Sequence, residues 1–298
     1  MSKPRRKRTR KIDPNASSTS AEVERPRKRF FRQRAHCNPL SRSDGFDYPQ
    51  TPEDVSFWEP HFTQEWLTKF SDPSTEIYAD VGCGFGGLLM GLAELYPHAI
   101  SIGFEIRQKV TEYVKQRISH LRQERSNGEY QNVSVLRANA MRYLPNFFKK
   151  GQLTKMFFCF PDPQFKKKKH RRRIISDGLL AEYAYLLRPG GRLYHITDVP
   201  ELHEWMKDHC KRHPCFRQIP EEQLVDDPAV PCMREATEEG QKVARGGGSK
   251  YYCVYERVPD EEALATYSLK KESSSTTSTD GSIESSSSSS SSSSNTMQ

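Results

Sequence analysis

The chain has 298 residues, with 46 Lys and Arg against 38 Asp and Glu, and a formal net charge of +8. Its length allows one large domain or two small ones, and no apolar stretch approaches the roughly eighteen residues that a membrane-spanning helix needs. Its seven cysteines form no CxxC pair, which argues against a disulfide framework and against a zinc site of common spacing. We therefore expect a soluble protein from a reducing compartment.

The first 34 residues hold a large share of the positive charge, because they contain 13 Lys and Arg and only 3 Asp and Glu. They are poor in large aliphatic side chains, so we expect residues 1–34 to be a disordered basic arm. Within the arm, the cluster PRRKRTRK from Pro4 to Lys11 resembles a nuclear import signal, although an RNA-binding arm would have the same composition. We favour import and expect the protein in the nucleus, with the cytoplasm as a second location.

Residues 35–258 alternate short apolar runs with segments of helical periodicity, which is typical of βαβ units around a parallel sheet. The predicted strands are Ile77–Val81, Ala99–Glu105, Val133–Arg137, Met156–Phe160, Arg192–Thr197, Phe216–Ile219 and Tyr251–Val258. Apolar residues at steps of three and four predict a helix across Val110–Leu121 and another across Leu179–Leu187, where RPGG turns the chain. We therefore expect an α/β fold with a mostly parallel seven-stranded sheet and helices on both faces.

The composition changes again after the last predicted strand. Within residues 259–298 the chain becomes rich in Ser and Thr from Ser273, and ten consecutive serines run from Ser285 to Ser294. Such a solvated segment has no reason to fold, so we expect a disordered Ser-rich C-terminal tail. This leaves residues 35–258 as the single folded domain.

A glycine-rich loop, DVGCGFGG, follows the first predicted strand and precedes a helix. This arrangement places backbone N–H groups and a helix N-terminus beside a nucleotide-like ligand. Gly82, Gly84 and Gly87 match the dinucleotide spacing GxGxxG. Starting from Asp80, the same loop matches DxGxGxG through Gly86, which is the pattern of S-adenosylmethionine methyltransferases. The glycines alone do not decide between the two cofactors.

Polar residues near the glycine loop narrow the choice of cofactor. Asp80 would repel a pyrophosphate but could bind the ammonium group of S-adenosylmethionine, so it favours the methyl donor. Glu105 ends the second predicted strand, where an acidic side chain can bind both ribose hydroxyls of either cofactor. Asn139 follows the third strand and is placed to reach an adenine, with Ala140 offering a backbone contact. Both residues could instead form only the next turn.

The fourth predicted strand ends in the segment PDPQFKKKKHRRR, where Asp162 lies between two prolines. Seven of the eight residues from Lys166 to Arg173 are Lys or Arg, a density that should hold several phosphates at once. A Pro-rich turn before a solvated charge run would look the same. Because ligands bind outside the carboxyl ends of parallel strands, we expect one crevice to contain all five polar strand ends, Asp80, Glu105, Asn139, Asp162 and Asp198. Asp198 could alternatively cap a helix.

Methyl transfer from a sulfonium needs a lone pair held in line with the bond that breaks, so positioning dominates the catalysis. A ring nitrogen such as guanine N7 has a free lone pair and bears no proton, so it needs no general base. Asp162 is therefore interpreted as a residue that fixes the base by accepting N–H hydrogen bonds and offsets the charge developing on the methylated ring.

The chain resembles the tRNA (guanine-N7)-methyltransferase family, closest to its eukaryotic catalytic subunit, over roughly residues 26–257. The resemblance lies in DVGCGFGG, GFEIR, RANAM, LPNFFKKGQLTKMFFCFPDPQFKKKKH, IISDGLLAEYAYLLRPGG, ITDV and TEEG. It implies a Rossmann-like class I enzyme that transfers a methyl group from S-adenosylmethionine to N7 of a guanine in the tRNA variable loop. It also implies a separate, non-catalytic WD-repeat β-propeller partner that forms a heterodimer with the chain.

The resemblance also assigns roles to residues. Asp162 matches the catalytic position, and Thr237 and Glu239 match positions that close over the cofactor and the target base. The other cofactor-binding residues that we expect are Asp80, Gly82, Gly84, Glu105, Ile106, Arg107, Asn139, Ala140 and Cys159, the last in place of a larger aliphatic residue. The expected tRNA-binding residues are Lys166, Lys167, Lys168, Lys169, Arg171, Arg172, Arg173 and Asp198. No metal is expected.

Three alternative functions keep some of these features. A methyltransferase acting on a protein or a small molecule would explain the glycine loop but not the basic segments. A tRNA-binding scaffold without catalysis would explain the basic segments but not the acidic residues at the strand ends. A dehydrogenase would need bound NAD and a hydride-transfer site, and the sequence offers none.

Overall fold

The computed structural model of the protein describes residues 25–34, 37–41, 45–125 and 127–276. The predicted nuclear import cluster, Pro4–Lys11, and the serine run, Ser285–Ser294, therefore lie outside the described residues. No helix in the described ranges is both long and apolar enough to cross a bilayer.

Within the described part of the chain, seven strands form one sheet. They are β1 (Ile77–Val81), β2 (Ile100–Glu105), β3 (Val133–Arg137), β4 (Leu153–Cys159), β5 (Leu187–Thr197), β6 (Phe216–Gln218) and β7 (Tyr251–Arg257). Their order across the sheet is β3-β2-β1-β4-β5-β7-β6. β1 to β5 are parallel to one another, whereas β7 is antiparallel to β5 and β6. The chain order reverses between β1 and β4, and in such sheets this switch point is where ligands bind.

The helices are α1 (Gln64–Ser71), α2 (Gly87–Leu95), α3 (Gln108–Glu124), α4 (Ala140–Phe147), α5 (Asp177–Leu186), α6 (Pro200–Arg212), α7 (Ala229–Glu235), α8 (Glu238–Arg245) and α9 (Asp260–Thr276). Alternate residues of β1 show how they cover the sheet. Ile77, Ala79 and Val81 pack in a core with α1, α4, α5 and α6 on one face. Tyr78 packs on the other face with α2 and α7, and α2 and α3 pack together beside β3. The prediction of helices on both faces is confirmed.

The predicted strands agree closely with the sheet, because a doubly covered parallel strand is a short, continuous apolar run. β1 and β3 have the predicted bounds. The turn predicted for RPGG is instead a bulge within β5, where Gly190 has φ +78° and the pairing with β4 shifts.

The described residues extend beyond both predicted boundaries of the folded domain. The arm predicted to end at residue 34 has defined contacts from residue 25, with a short 3-10 helix at Lys28–Phe30 and the Phe31 ring edge-on to Tyr113 at 5.7 Å. The tail predicted from residue 259 begins with α9, where Arg217 forms an ion pair with Glu262 at 2.7 Å. In both segments a few long-range contacts offset the polar composition on which the prediction rested.

Candidate active site

The glycine loop between β1 and α2 uses its glycines for two different purposes. Gly82, Gly84 and Gly86 have φ values of +80°, +56° and +78°, a region that L side chains rarely adopt. The backbone N–H of Gly82 donates to the carbonyl of Phe104 at 2.8 Å, which holds the loop against β2. These three glycines are the ones of the DxGxGxG pattern.

Gly87 is required for packing rather than for a left-handed turn. A Cβ atom at this position would lie 2.1 Å from the carbonyl oxygen of Ala236, in the segment that joins α7 to α8. Gly87, the third glycine of the dinucleotide pattern GxGxxG, is therefore needed because the segment between α7 and α8 packs against it, and not because of a bound ligand. The loop conformation favours the methyltransferase interpretation of the sequence.

Asp80 is the penultimate residue of β1, next to the glycine loop, and is almost completely buried, at 1 % exposure. Neither of its carboxylate oxygens hydrogen-bonds to any residue in the described ranges. Burial, followed by the negative charges of Glu238 and Glu105, raises the pKa of Asp80 to about 8. A buried carboxylate without a partner is costly, so a ligand that brings a cationic group to this position would be stabilised here.

Glu105, at the end of β2, is 3 % exposed and is held by Arg107. Its Oε2 accepts from Nη2 of Arg107 at 2.8 Å, and its Oε1 accepts from the Arg107 backbone N–H at 2.8 Å. The carboxylate is thereby fixed at the carboxyl end of β2, two strands away from β4 in the sheet. Ile106 and Arg107 follow it, half-buried, and lead into α3.

Asn139 is buried after β3 and precedes Ala140, the first residue of α4. Its Nδ2 donates to the carbonyl of Pro39 at 2.6 Å. A segment before the first strand therefore contacts the side chain that was predicted to reach the adenine, which no sequence spacing indicated.

The chain bends sharply after β4, over residues 160–164, a segment that we call the elbow. The backbone N–H of Phe160 donates to the carbonyl of Ile196 at 2.8 Å, and Phe160 itself has a left-handed φ of +50°. Gln164 has φ +47°, and its backbone N–H donates to Oδ1 of Asp162 at 3.1 Å. Two non-glycine residues in this conformation flank Asp162, and such local strain is characteristic of functional sites.

Arg173 differs from the rest of the basic run that was predicted to bind tRNA, because it faces into the protein. Its side chain is buried, its Nη2 lies 2.7 Å from Oε1 of Glu201, and its Nε donates to the carbonyl of Pro163 at 2.9 Å. Its guanidinium also lies 4.6 Å from the ring centroid of Trp205. Arg173 therefore stabilises the elbow through its hydrogen bond to Pro163, and it cannot reach a phosphate without leaving these partners.

The other cations of the basic run, Lys166–Arg173, differ in their exposure to solvent. The run forms a 3-10 helix at Lys167–Arg172. Its exposed members are Lys166, Lys167, Lys168 and Arg171, whereas Lys169 and Arg172 are half-buried. Cys159, the last residue of β4, is half-buried against the core beneath the elbow.

The TEEG segment begins α8 and lies over both the glycine loop and the elbow. Thr237 caps the helix, since its Oγ1 accepts from the Gly240 backbone N–H at 2.9 Å. A Cβ atom at Gly240 would lie 3.4 Å from the Phe160 ring. Glu239 is exposed and pairs with Lys242 at 2.7 Å.

Glu238 is a site residue that the sequence did not indicate. Its Oε2 accepts from the Gly87 backbone N–H at 3.2 Å, and its Oε1 lies 2.9 Å from Nζ of Lys28 and 3.2 Å from Nη1 of Arg117. The Thr at the start of TEEG could have predicted a helix cap, but nothing in the sequence links Glu238 to the glycine loop.

Asp198 is exposed at the end of β5, and it does not cap α6, whose N-cap is Val199. The pKa of Lys242 is raised, first by its hydrogen bond to Glu239 and then by the charges of Glu239 and Asp198. Because β4 and β5 are parallel neighbours, Asp162 and Asp198 follow them at the same edge of the sheet.

Comparison with known proteins gives the family. A methyltransferase family model, Methyltransf_4, matches residues 74–253. A tRNA (guanine-N(7)-)-methyltransferase of Arabidopsis thaliana is 52% identical over 251 residues, which are 83% of this chain and 97% of that protein. The chain belongs to the tRNA (guanine-N7)-methyltransferase family. A member from Danio rerio is 51% identical over 80% of this chain and 98% of its own length.

The family membership confirms the resemblance and the enzyme class predicted from the sequence. The sheet order of this member, with one antiparallel strand near the edge, confirms the Rossmann-like class I fold. A crystal structure of the 16S rRNA methyltransferase KamB aligns with a TM-score of 0.45 and 15% identity, over 66% of this chain and 95% of that one. An alignment at that level adds nothing to what the sheet order establishes.

No group of three His, Cys, Asp or Glu side chains that could hold a metal ion occurs within residues 25–34, 37–41, 45–125 and 127–276. The expectation that the enzyme uses no metal stays a prediction. The roles assigned to individual site residues also stay predictions.

Proposed function

We propose that the chain transfers a methyl group from S-adenosylmethionine to N7 of a guanine in the variable loop of tRNA. One juxtaposition carries the proposal. Asp80 on β1 is paired in register with Phe157 on β4. The buried carboxylate of Asp80 and the elbow that contains Asp162 therefore lie at the carboxyl ends of neighbouring strands. The relatives' names supply the substrate class, and the exposed cations beside Asp162 suit a polyanion.

The residues at the glycine loop fit the methyl donor. Asp80 would hold its ammonium group, Glu105 its ribose hydroxyls and the segment around Asn139 its adenine. When bound, the cofactor supplies an electrophilic methyl group on a sulfonium. Thr237 and Glu239, at the start of α8, would restrict access of water from above the elbow.

Asp162 would position the acceptor base. Its carboxylate is oriented by the Gln164 backbone N–H, and the loop around it is braced by Arg173 beneath Pro163. Since N7 has no proton to lose, the carboxylate need only accept hydrogen bonds from the base and stabilise the positive charge that develops on the ring. The exposed cations Lys166–Lys168 and Arg171 would bind the phosphates on either side.

The proposal extends to a partner and a location. We propose that a separate WD-repeat protein, without a catalytic role, helps hold the tRNA, as the resemblance to the eukaryotic catalytic subunit implies. We also propose nuclear import through Pro4–Lys11, with a share of the protein in the cytoplasm. Tagged full-length chain with this cluster replaced by alanines should lose nuclear enrichment.

A direct assay tests the proposed reaction. The full chain, alone and with a candidate WD-repeat partner, is incubated with tRNA and methyl-labelled S-adenosylmethionine, and the nucleosides are separated. Label in 7-methylguanosine supports the proposal. Label only in protein or in another nucleoside contradicts it, and unlabelled tRNA from an assembled complex that still binds tRNA would favour a scaffold.

A further inference from the structure

Phe165 is an aromatic side chain displayed at the rim of the candidate active site. It is 67% exposed, although it directly follows the Asp162 elbow and directly precedes the basic run. Exposed aromatic rings in a surface of this charge need an explanation, because a phenylalanine gains free energy when it leaves water.

The backbone that precedes the ring is fixed by hydrogen bonds. Gln164, the preceding residue, is buried at 8% exposure and holds a left-handed φ. Its backbone N–H is bound to Asp162, and Pro163 is bound to the buried Arg173. The backbone that leads into Phe165 is therefore anchored at Pro163 and Gln164, and the Phe165 ring itself lies in solvent.

The surroundings of Phe165 match single-stranded RNA better than a protein surface. Lys166, Lys167 and Lys168 follow it and are exposed, and Arg171 is displayed one turn further along. A protein partner with an apolar patch would have to desolvate these cations. An unstacked nucleotide satisfies both features, because its base stacks on an aromatic ring while its phosphate binds the cations.

We propose that Phe165 stacks on an unpaired tRNA base adjacent to the target guanine. The proposal rests on the function proposed above. The target itself must reach Asp162, inside the elbow, whereas the Phe165 ring lies outside it and is mostly exposed, so the ring meets the neighbouring base. Phe165 is then a positioning residue, which holds the target guanine out of the stack by fixing its neighbour.

The test compares Phe165→Leu and Phe165→Trp in the full chain. Leucine keeps an apolar side chain without a π-face, and tryptophan keeps the π-face. The control is Tyr185→Leu, because Tyr185 is another exposed aromatic residue, 49% exposed. It lies at the opposite edge of the sheet, since its carbonyl accepts a hydrogen bond from the backbone N–H of Gly151, just before the start of β4. We expect F165L to lower tRNA affinity about ten-fold, or about 1.4 kcal/mol, while F165W stays within about two-fold of wild type.

Two readouts separate stacking from other roles. The slope of log affinity against log salt should be unchanged in F165L, since no phosphate contact is lost. Synthetic tRNAs with an abasic site on either side of the target guanine supply the second readout. At one of the two positions the abasic site should weaken wild-type binding about ten-fold and F165L binding hardly at all.

The outcomes are distinct. Equal tRNA affinity for F165L and wild type, or additive losses for F165L and both abasic sites, would overturn the inference. A loss confined to assembly with a protein partner would show that the ring is a protein contact. Failure of wild-type chain to bind or methylate tRNA would instead overturn the proposed function.

Discussion

The carboxylate of Glu238 accepts a hydrogen bond from the backbone N–H of Gly87 at 3.2 Å. This contact joins the first residue of α8 to the first residue of α2, so the TEEG segment and the glycine loop form one unit. The same carboxylate lies 2.9 Å from Lys28 and contributes to the raised pKa of Asp80. Glu238 therefore connects the described N-terminal segment to the cofactor side of the sheet.

Two adjacent glutamates should contribute differently to stability. We expect Glu238→Ala to lower the free energy of unfolding by about 1.5 kcal/mol, because the hydrogen bond and ion pairs that it loses involve a charged, partly buried group. Glu239→Ala removes only an exposed pair with Lys242 and should change stability by less than about 0.5 kcal/mol. Urea denaturation of both variants measures the difference, and equal effects would contradict the account.

Two glycines should respond oppositely to alanine. At Gly87 the added methyl group would meet the Ala236 carbonyl at 2.1 Å, so we expect Gly87→Ala to lose about 2 kcal/mol or more and to weaken cofactor binding. Gly178 is exposed in the first turn of α5, and a Cβ atom added there would have no other atom within 4 Å. Gly178→Ala should gain about 0.5–1 kcal/mol. Thermal unfolding distinguishes them, and an unaffected G87A protein would refute the close approach.

The elements that carry the cofactor site could be predicted from the sequence, because their signals are local. β1 is an apolar run that leads directly into glycines, and only glycine readily adopts the φ values found at Gly82, Gly84 and Gly86. The strand ends then bring Asp80 and Glu105 together by topology alone.

The contacts that support the site could not be predicted, because their signals are not local. Glu238 and Glu239 are chemically identical, and only the packing of α8 on α2 gives one of them the Gly87 partner, 151 residues away. Arg173 looks like the rest of its basic run, but Glu201 and Trp205 on α6 bury it. Similarly, nothing in a basic segment indicates that Lys28 would reach the start of α8.

The raised pKa of Asp80 predicts a pH dependence of stability. Its folded value of about 8 exceeds the ordinary value of 3.8, so between these pH values the folded protein keeps a proton that the unfolded chain releases. Asp80 therefore contributes stability below pH 3.8 that is lost as the pH rises towards 8. Relative to Asp80→Asn, the wild-type free energy of unfolding should fall by about 1.4 kcal/mol per pH unit between about pH 5 and 7.

Cofactor binding should release the proton that Asp80 carries in the folded protein. If Asp80 binds the ammonium group of S-adenosylmethionine, the pKa of Asp80 falls on binding, and one proton is released at about pH 7. Calorimetry in buffers of different ionisation enthalpy measures this release, which Asp80→Asn should abolish. Binding without proton release by the wild-type protein would show that the ammonium group lies elsewhere.

The basic run should contribute to tRNA binding only through its displayed cations. Alanine at Lys166–Lys169 should weaken tRNA binding and reduce the slope of log affinity against log salt by about 2–3, since each lost phosphate contact changes it by roughly 0.7–0.9. Arg173→Ala should instead lower stability, because Arg173 is buried against Glu201 and Pro163. The matched control is Lys149→Ala with Lys150→Ala, just before β4. An unchanged salt slope in the lysine variant would contradict the phosphate role.

The most direct test of the central claim is a map of 7-methylguanine across all tRNAs from cells with and without this protein. We expect the modification to disappear from the variable loop alone, wild-type chain to restore it, and Asp162→Ala at equal abundance not to restore it. An unchanged map in cells that lack the protein would contradict the central claim. Full restoration by D162A would contradict the role of Asp162.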